Sequence, residues 1–404
     1  MNALSGGTPV PDLLVIGSGV IGSSVAFHAA REGLRVVVVD RRQPAVPAAA
    51  SWASAGGVRQ QGRDAAEAVL AAPVMSRWPA LASELEADLG YRQGGNLMVA
   101  ESDEEADDLR DFVDRQHANG LTNVALLGRE EVARIVPGLS PGVVAGSWSS
   151  VDGQADPVLT TRAFAAAAAR LGARFLIADV TGLTIRQGRV TGAETSAGSI
   201  VAGQTVLAAG AGTAAVAAFA DVHLPVRPVA LQMLLTTAAA PGSLGPVVSS
   251  LRRTLSLKQL DSGAFLIGGG WLADLDYATG SARLRPERVD ANWAEACAVL
   301  PLVSGHPVAS SWYGLESQSI DGLPVLGRVP SVPGLLLAAG FSGHGFAISP
   351  IVGEIVTDEV LGRPSRVPVS PALAADRFDD LNEGELHEFL AGKSHPAETA
   401  SQAG

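Results

Sequence analysis

The stretch Asp12 to Asp40, DLLVIGSGVIGSSVAFHAAREGLRVVVVD, places the tightest limit on what this chain can fold into. Leu13 to Ile16 form a short apolar run of the kind a strand buried on both faces requires. The run passes directly into Gly17-Ser18-Gly19-Val20-Ile21-Gly22, then a helical segment, then a second apolar run from Val36 to Val39 that ends in Asp40. In such a unit the first glycine makes the tight turn, the second lets a pyrophosphate approach the main chain, and the third lets helix pack on strand. The helix start offers free N–H groups and a partial positive charge to phosphates, and the terminal carboxylate accepts from a ribose hydroxyl. Strand, turn, helix, strand and acid in one unit predict a dinucleotide site. The competing reading is an ordinary βαβ turn with an exposed aspartate.

At 404 residues the chain has room for roughly two to three domains. A hydrophobic fraction of 47% and a charged fraction of 17% describe a filled globular core rather than a disordered chain. The net charge of −12 and the scattered arginines disfavour a general nucleic-acid or anionic-membrane surface. One cysteine, Cys297, excludes an intrachain disulfide framework and a cysteine-based metal site. It lies in the helix-like ANWAEACAVL, where a buried small hydrophobe is expected rather than a nucleophile. No apolar run approaches the ~18 residues of a membrane helix. MNALSGGTPVP carries neither a basic region nor an apolar core, so the expectation is a flexible lead and a cytoplasmic protein without a membrane span.

Beyond Asp40 and Arg41 comes a small-residue loop, AVPAAASWASAGGVRQQG, in which Ser51, Ser54, Ala55, Gly56 and Gly57 can lay main chain against a flat ligand. Residues 64–89 read as helical with breaks at Pro73 and Pro79, and Leu97 to Ala100 as a strand. ESDEEADDLRDFVDRQHANG is an acid-started amphipathic helix with a solvated face, ending at Gly120. Short β-segments separated by Gly182, Gly188 and Gly198 lead to TVLAAGAGT, a strand running into a second glycine turn. Further strands follow between 225 and 270, a helix over 285–300, strands at SSWYGLE, PVLGRV and GLLLAAG, and then a glycine-rich turn and helix in GFSGHGFAISPIVGEIVTDEVLG. The polar end, GKSHPAETASQAG, reads as disordered. The fold class is therefore α/β: a Rossmann-like nucleotide domain from 10–90, 150–220 and 320–365, an inserted sheet-rich α+β substrate domain from 91–149 and 221–319, and a C-terminal extension over 366–404.

VIGSGVIG with Asp40, SWASAGGVRQQ, VDGQADP, VLAAGAGT, DGLPVLG and GFSGHGF occur in this order across residues 12–365. As an ordered set they resemble the flavoprotein family of D-amino-acid oxidase, glycine oxidase and sarcosine oxidase. The ending looks closest to the catalytic subunits of D-hydroxyproline dehydrogenase, opine oxidase and hydrogen cyanide synthase. The resemblance implies FAD, held non-covalently because Cys297 lies away from the matching motifs. It assigns Gly17, Gly19, Val20, Ile21 and Gly22 to the pyrophosphate, Asp40 to the adenosine ribose, and Arg41 and the main chain of Val180 to the adenine. Ser51, Ser54, Ala55, Gly56 and Gly57 border the isoalloxazine, and Ala209 and Gly210 close over the phosphates. Gly343, His344, Gly345 and Phe346 bring a helix start to the flavin pyrimidine edge, where aimed N–H groups stabilise the negative charge of the reduced ring.

The activity this implies is oxidation of a C–N bond of an amino acid, imino acid or secondary amine by hydride transfer to flavin N5, with the protein supplying orientation and desolvation. The familiar carboxylate anchors of the family are absent: Glu316 of GLES stands where an arginine is usual, and Ala347 follows GHGF where sarcosine oxidase has lysine. Glu316 can instead hold an ammonium group, or be a structurally paired strand-end residue. Arg59 is the leading cation near the ring, Tyr313 and Trp271 are candidate pocket walls, and Lys258 is a candidate near N5. His344, with Arg59, Glu316 and Tyr313, completes the set of candidate catalytic residues. A partner subunit or separate electron acceptor is compatible with the resemblance. Two rivals remain open: oxidation of a hydroxyl-bearing carbon, and a non-catalytic flavin-binding subunit.

Overall fold

The computed structural model describes residues 10–392; the expectations for the N-terminal lead before residue 10 and for GKSHPAETASQAG from residue 393 lie outside the described residues. A six-stranded sheet runs in the order Val325–Arg328, Leu335–Ala339, Gln204–Leu207, Leu13–Ile16, Val36–Asp40, Arg174–Ile177. Every neighbouring pair is parallel except the first.

The strands read as unbroken apolar runs because both faces of the sheet are covered. Leu13, Val15, Val36 and Val38 enter one core with Val25 and Phe27 of the Val20–Arg31 helix, Phe164 of Pro157–Arg170, and Ile348, Ile351 and Val352 of Gly345–Val360. Leu14, Ile16, Val37 and Val39 point the other way, into a core shared with Leu183, Val190 and Ile200 of a three-stranded antiparallel meander. The alternation is the period of two that a strand imposes. The Val20–Arg31 and Gly345–Val360 helices touch along Ser24, His28, Ser349 and Gly353, with Ser24 Oγ donating to Ser349 O at 2.7 Å.

The second sheet has eight strands, in the order Val308–Ser319, Val226–Ala238, Ala264–Gly268, Ser256–Gln259, Val247–Ser250, Asn96–Ala100, Ala145–Ser149, Val124–Gly128. It is antiparallel apart from the Val247–Ser250 and Asn96–Ala100 pair. The Pro286–Val299 helix seals one face through Ala296 and Val299, packed on Leu234, Phe265 and Ile267. Cys297 belongs to this helix, half-buried, with burial pushing its thiol up. The acidic helix Asp103–Ala118 buries only Leu109, Val113 and Gln116 and is capped by Ser102, whose hydroxyl accepts from Glu105 N–H.

Three breaker residues fall otherwise than the sequence suggests. Pro73 lies inside the Ala65–Met75 helix, near enough to its end that the lost hydrogen bond does not stop it. Pro79 opens the next helix, Trp78–Glu84, from its first turn. Gly182 is an internal residue of the strand Val180–Arg186, not a separator.

The two sheets meet where the long strand Val308–Ser319 passes the Ala50–Ala53 turn. Leu315 N donates to Ala48 O at 2.9 Å, and a Cβ on Gly314 would lie 2.3 Å from Ala53 Cβ. Gln61 ties the same loop to the second sheet, donating to Asn96 O at 2.9 Å and accepting from Ser147 Oγ at 2.8 Å.

Candidate active site

Three glycine-bearing turns follow the parallel strands Leu13–Ile16, Gln204–Leu207 and Leu335–Ala339, on the carboxyl side where open α/β sheets bind ligands. Gly17 sits at φ +111°, and a Cβ there would lie 2.2 Å from Ala208 O, so the first two turns are nearly in contact. Gly22 is equally close to the turn, with 1.9 Å from its would-be Cβ to Gly17 O. The Val20–Arg31 helix has no acidic residue in its first turn and no side-chain cap from its N-cap, Gly19. Ser51 Oγ accepts from Val20 N–H at 2.9 Å, placing Ser51 between the phosphate-side turn and the stretch assigned to the ring.

Asp40 faces this turn. One carboxylate oxygen accepts from Ser18 N–H at 2.7 Å and Ser18 Oγ–H at 3.0 Å, and the other from Arg42 N–H at 3.0 Å. A carboxylate has about four acceptor positions, so capacity for a further hydroxyl remains. Ala178 N–H donates to Asp40 O at 2.9 Å, which brings the segment leading to Val180 alongside. Arg41 reaches over the other turn, 3.6 Å from the would-be Cβ of Gly212. Ala209 caps the short helix Gly210–Gly212, and Gly210 has open space around it.

Ser54 Oγ accepts from Gly56 N–H at 3.0 Å, and Ala55 lies between them in the chain. Gly57 pairs with Gln154, and Gly56 O accepts from Ala155 N–H at 2.9 Å, so VDGQADP backs the small-residue loop. Asp152 of that motif is fully buried, accepts from Gln60 N–H at 3.0 Å, and is pushed up to about 6 by burial. Arg59 is half-buried, and burial lowers its pKa against the opposing pull of Asp152 and Glu67; its Nη1 donates to Gln61 O at 3.2 Å.

At the third turn, Gly343 lies at φ +85° in open space, and His344 is the N-cap of the Gly345–Val360 helix. Neither a side-chain cap nor an acidic first-turn residue blocks that helix start. Phe346 is buried and packs on Trp78, ring centroids 5.4 Å apart, while Trp78 Nε1–H donates to Ala347 O at 2.8 Å. Phe346 therefore anchors the turn from within the core. Glu316 is half-buried beside the turn, with Oε1 accepting from Ser317 N–H at 3.0 Å. Burial raises its pKa, partly offset by the N–H groups of Ser317 and Gly343, and among the described residues no cation pairs with it.

The strand period separates Tyr313 from Glu316. Tyr313 lies opposite Gln232, whose amide donates to Arg288 O on the Pro286–Val299 helix, so it stands on the face turned toward that helix. Trp312 shares the Glu316 face; its ring is 6.0 Å from that of Trp52, and its buried Nε1–H has no partner among the described residues. Trp271 is half-buried, with Nε1–H donating to Thr254 O at 2.8 Å. Lys258 is 5% exposed and lowered to about 8, chiefly by burial, with Asp156 the leading opposing charge.

The sequence reading missed Arg63 and Glu67. His344 Nδ1 is 2.8 Å from Glu67 Oε2, Arg63 Nη1 is 3.6 Å from Glu67 Oε1, and the Arg63 and Glu67 side chains are almost fully buried. Burial pushes Glu67 up, but the His344 hydrogen bond and the charges of Arg63 and Arg59 hold it below the ordinary carboxylate range. Burial lowers Arg63 to about 10. The available signal was a charged residue in the alanine-rich AAEAVLAA, three positions after the helix-capping Asp64.

The family model described as FAD dependent oxidoreductase, abbreviated DAO, matches residues 12–359, and the chain belongs to that family. It is 28% identical to glycine oxidase of Geobacillus kaustophilus over 89% of this chain and 95% of that protein. It is 26% identical to an opine oxidase subunit of Rhizobium meliloti over 85% of this chain and 93% of that one. The structure of L-proline dehydrogenase from P. horikoshii superimposes with a TM-score of 0.85 at 28% identity, covering 92% of this chain and 98% of that one. The protein is thus an FAD-dependent enzyme, and its residues fit the cofactor. Two helix starts without acids or side-chain caps face the cleft, Asp40 keeps acceptor capacity, and open space adjoins Gly210 and Gly343. Among the described residues no helix is long and apolar enough to cross a membrane.

Proposed function

We propose that the enzyme oxidises the C–N bond of an amino acid, imino acid or secondary amine. What carries the reading is similarity over 85% to 92% of the chain to proteins named as a glycine oxidase, an opine oxidase subunit and an L-proline dehydrogenase. Bound in the glycine turns, FAD would supply the hydride acceptor for the substrate carbon. The chain contributes orientation and desolvation: the Gly17–Gly22 and Ala209–Gly210 turns hold phosphates, the Ser51–Gly57 loop and the Gly343–Gly345 turn border the ring, and the long strand closes the pocket with Trp312 and Glu316. Glu316 is the candidate ammonium anchor, a half-buried carboxyl group with no cation paired to it among the described residues. Arg59 is the candidate partner of a substrate carboxylate or of the ring, and Lys258 the candidate near N5. Tyr313 acts only through the strand, since it faces the other way. Non-covalent attachment accords with Cys297 lying on the Pro286–Val299 helix.

The presence of two separate sheets supports a division into a discontinuous FAD-binding domain and an inserted substrate domain. A partner subunit is part of the same reading, supported by the relative whose name makes it one component of an opine oxidase.

The test is anaerobic mixing of the yellow holoenzyme with D-amino acids, cyclic imino acids and N-methyl amines. Bleaching of the flavin band by one of these supports the assignment. Bleaching by hydroxy acids or alcohols alone, or by nothing, overturns it. Repeating the assay in air separates an oxidase from a dehydrogenase that needs another acceptor. In Glu316→Gln, an unchanged KM for the best amine would remove Glu316 from its assigned role.

A further inference from the structure

His344 holds its two ring nitrogens in different surroundings. Nδ1 lies 2.8 Å from Glu67 Oε2, on a carboxylate that is 1% exposed. Nε2 has no protein partner among the described residues, and the imidazole keeps 27% of its surface open. Arg63 Nη1 lies 3.6 Å from the other Glu67 oxygen, an ion pair without a hydrogen bond, and donates to His344 O at 3.3 Å. A buried carboxylate on an otherwise apolar helix face costs several kcal/mol unless it is paired, so this triad requires all its members. Ionised Glu67 only accepts hydrogen bonds. The neutral imidazole therefore carries its proton on Nδ1 and leaves Nε2 as an acceptor.

We propose that Glu67 is a positioning residue that fixes this tautomer of His344, so that Nε2 takes a proton from the substrate ammonium before the substrate is oxidised. The inference rests on the C–N reading above. The substrate N–H bond breaks and an Nε2–H bond forms. The positive charge moves from substrate nitrogen to imidazole, and the freed nitrogen lone pair becomes available to the neighbouring carbon. Glu67 then stabilises the imidazolium through a charge-assisted hydrogen bond.

The charges acting on the imidazole come from several directions. Burial and Arg63 lower its pKa, Glu67 raises it, and Arg59 lowers it further. From the long strand, Glu316 faces the neighbouring Gly343 N–H. Glu67→Gln keeps the shape and removes the charge, so the imidazole becomes harder to protonate; Arg63→Met makes it easier.

The experiment follows the acid limb of kcat/KM for the best amine substrate in the holoenzyme. In parallel, NMR follows the imidazole titration with labelled histidine, the His344 signal being the one missing from His344→Gln. Glu67→Gln is expected to lower the plateau of kcat/KM roughly ten- to a hundredfold, as loss of a charged hydrogen bond does. The same variant moves both the acid limb and the imidazole titration to lower pH, while Arg63→Met moves both to higher pH. A clamp that merely joins two helices would lower activity or thermal stability and leave the limb in place, and that outcome overturns the proposal. An imidazole titration unmoved in Glu67→Gln overturns it as well. A wild-type enzyme that no amine bleaches defeats the C–N reading itself, a result visible before any variant is made.

Discussion

Of the three glycine turns, the two that open long helices, one after Ile16 and one after Phe341, are built in different ways. The Gly17–Gly22 turn is held by its own neighbourhood: Val39 O takes Gly17 N–H, Asp40 takes Ser18, and Ser51 takes Val20 N–H. The Gly343–Gly345 turn is held by side chains from distant parts of the sequence. Glu67 and Arg63 reach His344 across 277 and 281 residues, Ser317 O takes Ser342 N–H at 2.9 Å, and Glu316 faces Gly343. A diphosphate can be bound by main-chain geometry and a helix dipole, which a short motif encodes. Chemistry on a substrate needs side chains of chosen pKa and orientation, which tertiary folding must assemble.

The largest expected effect comes from adding one methyl group to each turn. Both Gly17 and Gly343 have positive φ, so alanine is strained at either position, by about 1 to 2 kcal/mol. Only at Gly17 does the new Cβ also collide, at 2.2 Å from main-chain oxygen; at Gly343 nothing lies within 4 Å. Gly17→Ala should lose FAD affinity at least about a hundredfold or fail to accumulate, because overpacking adds to strain. Gly343→Ala should stay yellow, with altered turnover. The ratio of flavin to protein absorbance after gel filtration reads both. Equal loss from the two variants would show that the two turns are not built differently.

Legibility in the sequence follows the same division. The first sheet was readable because strands covered on both faces become unbroken apolar runs, and because its motif residues lie within about 30 positions of one another. Ser51 was legible as part of a loop, but not as the acceptor for Val20 N–H. Tyr313 was read as a candidate pocket wall, whereas Trp312 is the residue on the Glu316 face. Neighbouring strand residues point to opposite faces, and the choice between faces depends on pairing with Gln232 and Met233, far away in sequence. Glu67 was invisible as a site residue because a glutamate three positions after Asp64 also suits an ordinary capped helix start.

A second prediction sharpens the view that the substrate end stores electrostatic cost. Asp152 is raised to about 6 in the folded state by burial, above its unfolded value. Between roughly pH 4 and 6 the folded chain holds a proton that the unfolded chain has lost, so the Asp152 contribution to stability falls as pH rises through that window. Above it the buried carboxylate costs about 2 to 3 kcal/mol. Asp152→Asn should therefore gain stability relative to wild type as pH is raised from about 5 to about 8, by urea denaturation of the holoenzyme. A stability difference between the two proteins that is the same at both pH values would mean that the neighbouring hydrogen bonds and Arg59 already offset the burial.

The smallest effect tests the side-chain support that Ser51 gives the phosphate-side turn. Ser51 Oγ accepts from Val20 N–H, a helix-start donor that Gly19 cannot cap with a side chain. Ser51→Ala removes that acceptor, at about 1 kcal/mol, the typical cost of losing a helix N-cap. Because bound phosphate competes for the same end of the helix, the loss should be visible as a lower melting temperature of the apoprotein and should shrink once FAD is bound. A full penalty that persists in the holoenzyme would place Ser51 among the groups that the cofactor itself needs, and would make the first turn as dependent on side chains as the second.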